Sequence, residues 1–560
     1  MSSPKEGEVL VVPFHSKGHT FPAIELSHHL AARGLSVTLF LPSLPSSPLH
    51  DIVTVHQFAA PPPPPPTDTA AADGHPSPSP PPHLHRDPAF EEYLSRRSGA
   101  SPPLLCAIVD VMMSSYIPSC DSLGVPVVSF FTSSGCAAAL EHAASKLSEE
   151  DLGPEGTLAV PGLPEDMALT ASDLRQDPPP HGGPSLPWGP SDGGSAPPFW
   201  PPPPHGSPPS PRGHSDGGSA LPFWPPPPPQ FQQGHFPSRP PPQQGAAPPP
   251  PLMPPCADGV PVAQGGGRGP QRGLGETSRV AALLFNTCDA VERPFLEYIA
   301  KESGKPVWGV GPLLPSRFWS TADEPVGDEA ARPEEQREFG VADGEIRAWL
   351  DAKPPASVVY ISFGTLVGPA DEELEELAAA LEESRRPFIW VLQAGPMGPG
   401  GPPGGGGGYF PEDLARQAEE SQRGLVIRGW APQLMILSHP STGAFLSHCG
   451  WNSTVEALAK GVPILAWPIK GDQVSNSKLV TARLRVGYPV RTASPDPGER
   501  VTRRDVTRGI ERLMADDGVK ERAAAVRSIF DAGFPRSSAG SLDAFVDFLG
   551  RNLEPLGRRK

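Results

Sequence analysis

The sequence predicts an α/β protein of two doubly wound halves, and three observations carry that reading. Short, wholly apolar runs alternate with segments whose apolar residues recur at helical spacing. The opening reads strand, turn, helix, strand, the unit from which parallel sheets are wound. Third, 82 of the 560 residues are proline and 59 are glycine, yet the excess is local. Eleven prolines lie between Pro61 and Pro82, and 33 between Pro178 and Pro270. What remains is long enough for two domains with cores of their own.

Val9 to Pro13 is an apolar run, HSKGHT a turn, and PAIELSHHLAARG a helix closed by a glycine. LSVTLFLP is the second strand; LLCAIVD, ending at Asp110, and VPVVSFFTSS are further buried strands. The alternation resumes at Val280 with AALLFNT and continues through VVYISFGT, Val358 to Thr365. EELEELAAALEES then reads as a helix and PFIWVLQ as a strand. LVIRGWAP, TGAFLSHCG, a helix from Ser453 and VPILAWP complete the second half. The join falls between Pro312 and Pro333.

Three low-complexity stretches interrupt the pattern: Pro61 to Pro82, Gly395 to Gly408, and about Pro178 to Gly273. The last carries a repeat, SDGGSAPPFWPPPP at Ser191 and SDGGSALPFWPPPP at Ser215, offset by 24 residues. Two copies make no solenoid, and so much proline builds neither sheet nor helix. Two readings stay open. One is a solvated, disordered polyproline II insertion left by duplication; the other is a PxxP ligand for an SH3- or WW-type partner.

Composition removes several classes. A net charge of −17 argues against a general binder of nucleic acid or anionic membrane. No run approaches the roughly 20 apolar residues of a membrane span. MSSPKEGEVLVVPF lacks the basic and apolar regions of a secretory leader, so a cytoplasmic protein is expected. Cys106, Cys120, Cys136, Cys256, Cys288 and Cys449 form no C-x-x-C pair and read as reduced thiols.

The chemistry is concentrated from Trp430 to Gln473: WAPQLMILSHPSTGAFLSHCGWNSTVEALAKGVPILAWPIKGDQ. TGAFLS reads as a strand, HCGWNS as a tight turn and STVEALAKG as a helix. Ser453 stands at the expected N-cap with Glu456 three residues on, as in a capping box. Such a turn aims backbone N–H groups and a positive dipole end above the sheet, an arrangement suited to phosphate. His448 and Asn452 add donors, and Gly450 permits close backbone approach. Trp430 offers a flat face to a nucleobase, and Asp472 with Gln473 suits sugar hydroxyls. Ser453 and Glu456 also have a purely structural reading, and Trp430 and Trp451 one as core or interface aromatics. His439, His448 and Cys449 lack a fourth ligand at usable spacing, so no metal is expected.

Taken whole, the string closely resembles the signature box of plant family-1 UDP-glycosyltransferases. The resemblance implies the GT-B fold, two Rossmann-like domains facing a cleft, here with disordered Pro/Gly-rich insertions. It implies that Trp430 stacks on uracil, Ala431 contacts it through backbone, and Gln433 and Glu456 bind ribose. His448, Asn452 and Ser453 would hold the diphosphate, with Thr365 reaching it from a second strand. Trp451, Asp472 and Gln473 would read the sugar, the terminal glutamine being associated with UDP-glucose. In the N-terminal half, GHTFP places the family's base at His19 and CAIVD its partner at Asp110. Both lie beyond carboxyl ends of parallel strands, where open α/β sheets collect ligands. There Asp110 can hold one imidazole nitrogen while the other takes a proton from the acceptor hydroxyl.

The domains implied are 1–177 and 274–318 for the acceptor side, split by the insertion 178–273. Residues 319–540 would bind the UDP-sugar, and a helix within 541–560 would return toward the N-terminal domain. The repeat stands where relatives carry helices lining the acceptor pocket, and the polyproline run after Phe58 shortens another acceptor-side region. Phe199, Trp200, Phe223 and Trp224 could supply an apolar wall instead. The leading expectation is a monomeric, metal-independent, inverting O-glucosyltransferase. UDP-glucose is its donor co-substrate, and its acceptor a small hydroxylated flavonoid, other phenolic or terpenoid. The rival is a proline-rich interaction protein whose glycosyltransferase domain is a relic.

Overall fold

The computed structural model describes residues 7–41, 49, 51, 53–57, 88–97, 102–174, 274–319, 341–364, 368–392, 409–491 and 500–552. Thr365, Pro61 to Pro82, Gly395 to Gly408 and the repeat-bearing insertion lie outside these residues. So do the expectations of disorder, of an SH3- or WW-type ligand, and of a wall built from Phe199, Trp200, Phe223 and Trp224.

The first sheet takes its strands from β1 (Glu8–Val12), β2 (Ser36–Leu41), β3 (Val53–Gln57), β4 (Leu104–Asp110) and β5 (Val127–Phe131). A separate antiparallel ribbon, β6 (Thr157–Leu158) with β7 (Leu169–Thr170), follows. The first sheet is then completed by β8 (Ala282–Phe285) and β9 (Val307–Gly309). Its order is β3-β2-β1-β4-β5-β8-β9, and every pair is parallel. The second sheet comprises β10 (Val358–Ser362), β11 (Phe388–Leu392), β12 (Gly424–Arg428), β13 (Thr442–Ser447), β14 (Ile464–Ala466) and β15 (Gly487–Pro489). It is also wholly parallel, in the order β12-β11-β10-β13-β14-β15. Both are doubly wound sheets, as the sequence predicts.

Continuous apolar strands form here because both faces of each sheet are covered. Successive side chains of a strand point to opposite faces. Leu10 and Val12 accordingly enter one core, Val9 and Val11 another. In the second sheet Val359 and Ile361 part from Val358 and Tyr360 in the same way. The five described cysteines are buried and unbridged, and burial pushes their thiols well above the ordinary range. Cys256 lies in the insertion. No helix among the described residues is long and apolar enough to cross a membrane.

Two local expectations are corrected. HSKGHT is not a turn: the first helix already begins at Lys17 and runs to Ala31. The extended residue before it is Ser16, whose carbonyl accepts the N–H groups of His19 and Thr20. Pro22 therefore lies inside the helix, its fixed φ being helical. Likewise Ser453 is no N-cap. Cys449 takes a left-handed φ of 62°, turning the chain early, so that Gly450 caps a helix spanning Trp451–Lys460. Ser453 is the third residue inside it, and no capping box forms with Glu456.

The helix Arg536–Asn552 crosses back to the first sheet. Leu542, Phe545, Val546 and Leu549 join the core of Val9 and Val11. Phe545 meets Trp308 edge-on at 5.6 Å, and Arg33 pairs with Asp543 at 2.8 Å. Phe545→Ala should therefore destabilise the protein by about 3–5 kcal/mol, the usual cost of emptying a buried aromatic site. Urea unfolding of the variant against wild type measures it.

Candidate functional site

An open α/β sheet collects ligands where its winding reverses, at the carboxyl ends of its strands. The first sheet reverses between β1 and β4, the second between β10 and β13. His19 follows β1 and Asp110 is the last residue of β4. Gly364 follows β10 and His448 follows β13.

At the first reversal His19 Nδ1 lies 2.7 Å from Asp110 Oδ2 and 2.8 Å from Thr132 Oγ1. A carboxylate only accepts, so Nδ1 carries the hydrogen and the Nε2 lone pair is left for an incoming proton. Asp110 is fully buried, and its Oδ1 accepts the Met112 N–H at 2.9 Å. The His19 side chain keeps 23% of its surface exposed and stands edge-on to Phe14 at 5.2 Å. This is a half-buried imidazole oriented by a buried carboxylate, an arrangement suited to a base. Thr132 was not singled out from the sequence, although it follows β5 just as Asp110 closes β4. The rule that found one would have found the other.

At the second reversal His448 is buried, wedged between two glycines. A Cβ on Gly364 would stand 2.6 Å from its Nε2, and one on Gly450 2.4 Å. Gly364 also has a φ of 75°, so the SFGT turn needs glycine twice over. Burial holds the ring's pKa down to about 4, and its Nδ1 has no hydrogen-bond partner among the described residues. The ring is thus neutral at physiological pH.

Gln433, Ser453 and Glu456 come together. The Gln433 amide nitrogen donates to Ser453 Oγ at 3.0 Å and to Glu456 Oε2 at 2.6 Å, while its oxygen accepts from Tyr360 at 3.1 Å. Burial raises the Glu456 carboxyl to about 7, opposed by the Gln433 bond. Trp430 and Ala431 lie between β12 and the helix Gln433–Ser438, with Ala431 buried and its carbonyl accepting the Gln433 N–H. The Gln473 oxygen accepts from the backbone of Ile469 and Lys470 at 2.9 and 3.1 Å, leaving its NH2 group as the part suited to a ligand. Burial raises the Asp472 carboxyl, while Asn476 and His19 oppose that rise. Asp472 therefore stands within the field of His19.

Several side chains of the second half bind the first, three of them near the site. Trp451 Nε1 donates to Asn286 O at 2.7 Å and Asn452 Nδ2 to Gly18 O at 2.9 Å. Asn476 accepts from Ser134 at 2.6 Å, and its NH2 group reaches Cys449 O at 2.9 Å and Asp472 Oδ2 at 3.1 Å. The Trp451 indole is turned away from any ligand, so the backbone is the part of Trp451 left for a sugar. Its ring is 3% exposed within the N-terminal core, and its N–H is committed to a carbonyl. Asn286, Ser134 and Asn476 carried no sequence signal of this role, because partners so far apart leave no local pattern.

A second Ser–His–Asp grouping is a decoy. His439 contacts Ser441 Oγ at 2.6 Å and Asp351 at 3.0 Å. The Ser441 hydroxyl, however, donates to Leu350 O at 3.0 Å, and the group sits at the amino end of β13, away from both reversals.

Trp451→Phe tests whether the indole serves only this contact. It strands the buried Asn286 carbonyl at a cost of about 1–3 kcal/mol, measurable by chemical denaturation, with the KM for a sugar donor unchanged.

Comparison with known proteins agrees with this geometry. Residues 341–532 match the family described as UDP-glucoronosyl and UDP-glucosyl transferase. Scopoletin glucosyltransferase of Nicotiana tabacum is 35% identical over 261 residues, 45% of this chain and 50% of its own. Cis-zeatin O-glucosyltransferase 1 of Zea mays is 38% identical over 287 residues, 49% of this chain and 57% of its own. The chain thus spans about half the length of the curated relatives it matches. Among solved structures, Medicago truncatula UGT71G1 complexed with UDP-glucose aligns with a TM-score of 0.60 at 18% identity, over 98% of this chain and 99% of its own. Glycyrrhiza uralensis UGT73P12 aligns at 0.62 and 22%, over 97% and 95%. The fold is that of these plant transferase structures, and residues 341–532 resemble the UDP-glucoronosyl and UDP-glucosyl transferase family.

Proposed function

We propose that this protein transfers glucose from UDP-glucose to a hydroxyl of a small plant-type metabolite, with inversion at the anomeric carbon. One observation carries the reading: an oriented imidazole–carboxylate pair at one winding reversal faces a phosphate-suited turn at the other. The names of relatives, which refer to scopoletin, cis-zeatin and flavonoid glucosyl transfer, support acceptors of the flavonoid, phenolic or terpenoid kind. In this reading residues 1–177 and 274–318 hold the acceptor and 319–540 the donor. The protein works as a cytoplasmic monomer.

His19 Nε2 removes the acceptor proton, and Asp110 stabilises the imidazolium. The freed oxygen attacks the anomeric carbon from the face opposite UDP. The departing diphosphate meets the amino end of the helix Trp451–Lys460, with Ser453, Asn452, His448 and Thr365 around it. A leaving group so neutralised needs no metal. Trp430 stacks on uracil beside the Ala431 backbone, Gln433 and Glu456 take the ribose, and Asp472 with Gln473 takes the sugar. Trp451 contributes through its backbone.

His19→Ala should lower kcat by about 10²–10⁴, the usual worth of a general base. UDP affinity should be unchanged. Steady-state assays with phenolic acceptors and UDP-glucose measure the first, calorimetry the second. Wild-type turnover in the variant would remove His19 from the mechanism.

His448 gives a pH dependence of known sign. Free, its pKa is about 4; a bound diphosphate favours the protonated ring and raises that value. Binding then takes up a proton, so affinity for UDP-glucose should rise as pH falls below the bound-state pKa. Calorimetry in buffers of different ionisation enthalpy reads the uptake directly, and His448→Gln should abolish it.

A further inference from the structure

An α-helical carbonyl ordinarily accepts the N–H of the residue four positions on. Pro22 has none to give, and it lies inside the helix Lys17–Ala31. The carbonyl deprived of its helical donor is that of Gly18, the residue immediately before the base. A replacement arrives from the other domain: Asn452 Nδ2 donates to Gly18 O at 2.9 Å, across 434 residues of sequence.

We propose that Pro22 keeps the Gly18 carbonyl open for Asn452, and that the two act together as positioning residues for His19. The inference rests on the transferase reading above. The ring of His19 is fixed from the first sheet, by Asp110 and Thr132 on Nδ1. Its backbone is fixed from the second domain, one peptide away, by Asn452. The base is therefore fully placed only when the helix Trp451–Lys460 is docked against the first sheet. The same helix offers its amino end to the donor diphosphate, so donor site and base share one rigid element. One of the two Asn452 amide hydrogens is committed to this pin, which leaves the other for phosphate.

Pro22→Ala separates this role from a structural one. It restores an N–H at position 22, which competes with Asn452 for Gly18 O. Alanine is also the better helix former, so a proline with no positioning role would give a protein at least as stable and equally active. The expected result is a melting temperature unchanged or higher, with the Kd and KM for UDP-glucose unchanged. Only kcat falls, by about tenfold, since small misplacements of a catalytic group cost at least that much. Asn452→Ala should lower kcat to a similar degree, and the double variant should be no slower than the worse single one. Wild-type kcat in Pro22→Ala overturns the inference, and so does a fall in kcat matched by lost UDP-glucose affinity. If Pro22→Ala does not fold, Asn452→Ala decides: lost affinity with kcat retained assigns Asn452 to phosphate alone. A wild-type protein that neither binds UDP-glucose nor transfers glucose defeats the functional reading itself. Wild-type transfer with an equally fast Pro22→Ala defeats only this inference.

Discussion

Each sheet reverses its winding once, and the side chains of the candidate site collect at those two reversals. At such a point the helices on either side leave toward opposite faces, so nothing closes the gap between the two central strands. β1 and β4 open such a gap in the first sheet, β10 and β13 in the second. The loops that follow the strands of the first sheet are met from the second half, where Trp451, Asn452 and Asn476 reach Asn286, Gly18 and Ser134.

What was legible in the sequence follows from the same constraint. Strands buried on both faces carry unbroken apolar runs, so LLCAIVD and TGAFLS read correctly from one end to the other. The GHTFP and CAIVD motifs, through the family resemblance, singled out His19 and Asp110, and the structure brings the two side chains to 2.7 Å at adjacent strand ends. The illegible part is of two kinds. One is backbone detail: the left-handed turn at Cys449 moved the start of a helix and with it the role of Ser453. The other is pairing over distance. Ser134 meets Asn476 across 342 residues, and neither side chain differs locally from an ordinary cap or surface amide. The Trp451 indole belongs to that second kind, since only the folded chain shows it spent on Asn286.

Burial sets the electrostatic character of the interior as firmly as it sets the fold. Glu292 is fully buried and accepts the Gly135 and Cys136 N–H groups at 2.9 and 2.8 Å, capping the helix Gly135–Ala144 beside Ser134. Its carboxyl is raised to about 7 by desolvation, which outweighs those bonds. Glu456 is raised and His448 lowered for the same reason. Burial thus pulls these two carboxyls and this imidazole toward their uncharged forms. In the proposed reading a diphosphate there would meet backbone dipoles and neutral donors, which a low dielectric makes more effective than they would be in water.

The C-terminal helix adds a consequence in time. More than 220 residues separate Gly309, the end of the last strand of the first sheet, from Arg536, where that helix begins. At about 5–20 residues per second on the ribosome, roughly ten to forty seconds pass between the two. Through that interval the sheet face that will receive Leu542, Phe545, Val546 and Leu549 is covered only in part, by Ala23, Ile24, Leu26 and Leu30 of the first helix. The N-terminal half is the first to emerge and the last to be sealed, so the nascent chain is at its most adhesive while its second domain is still being made.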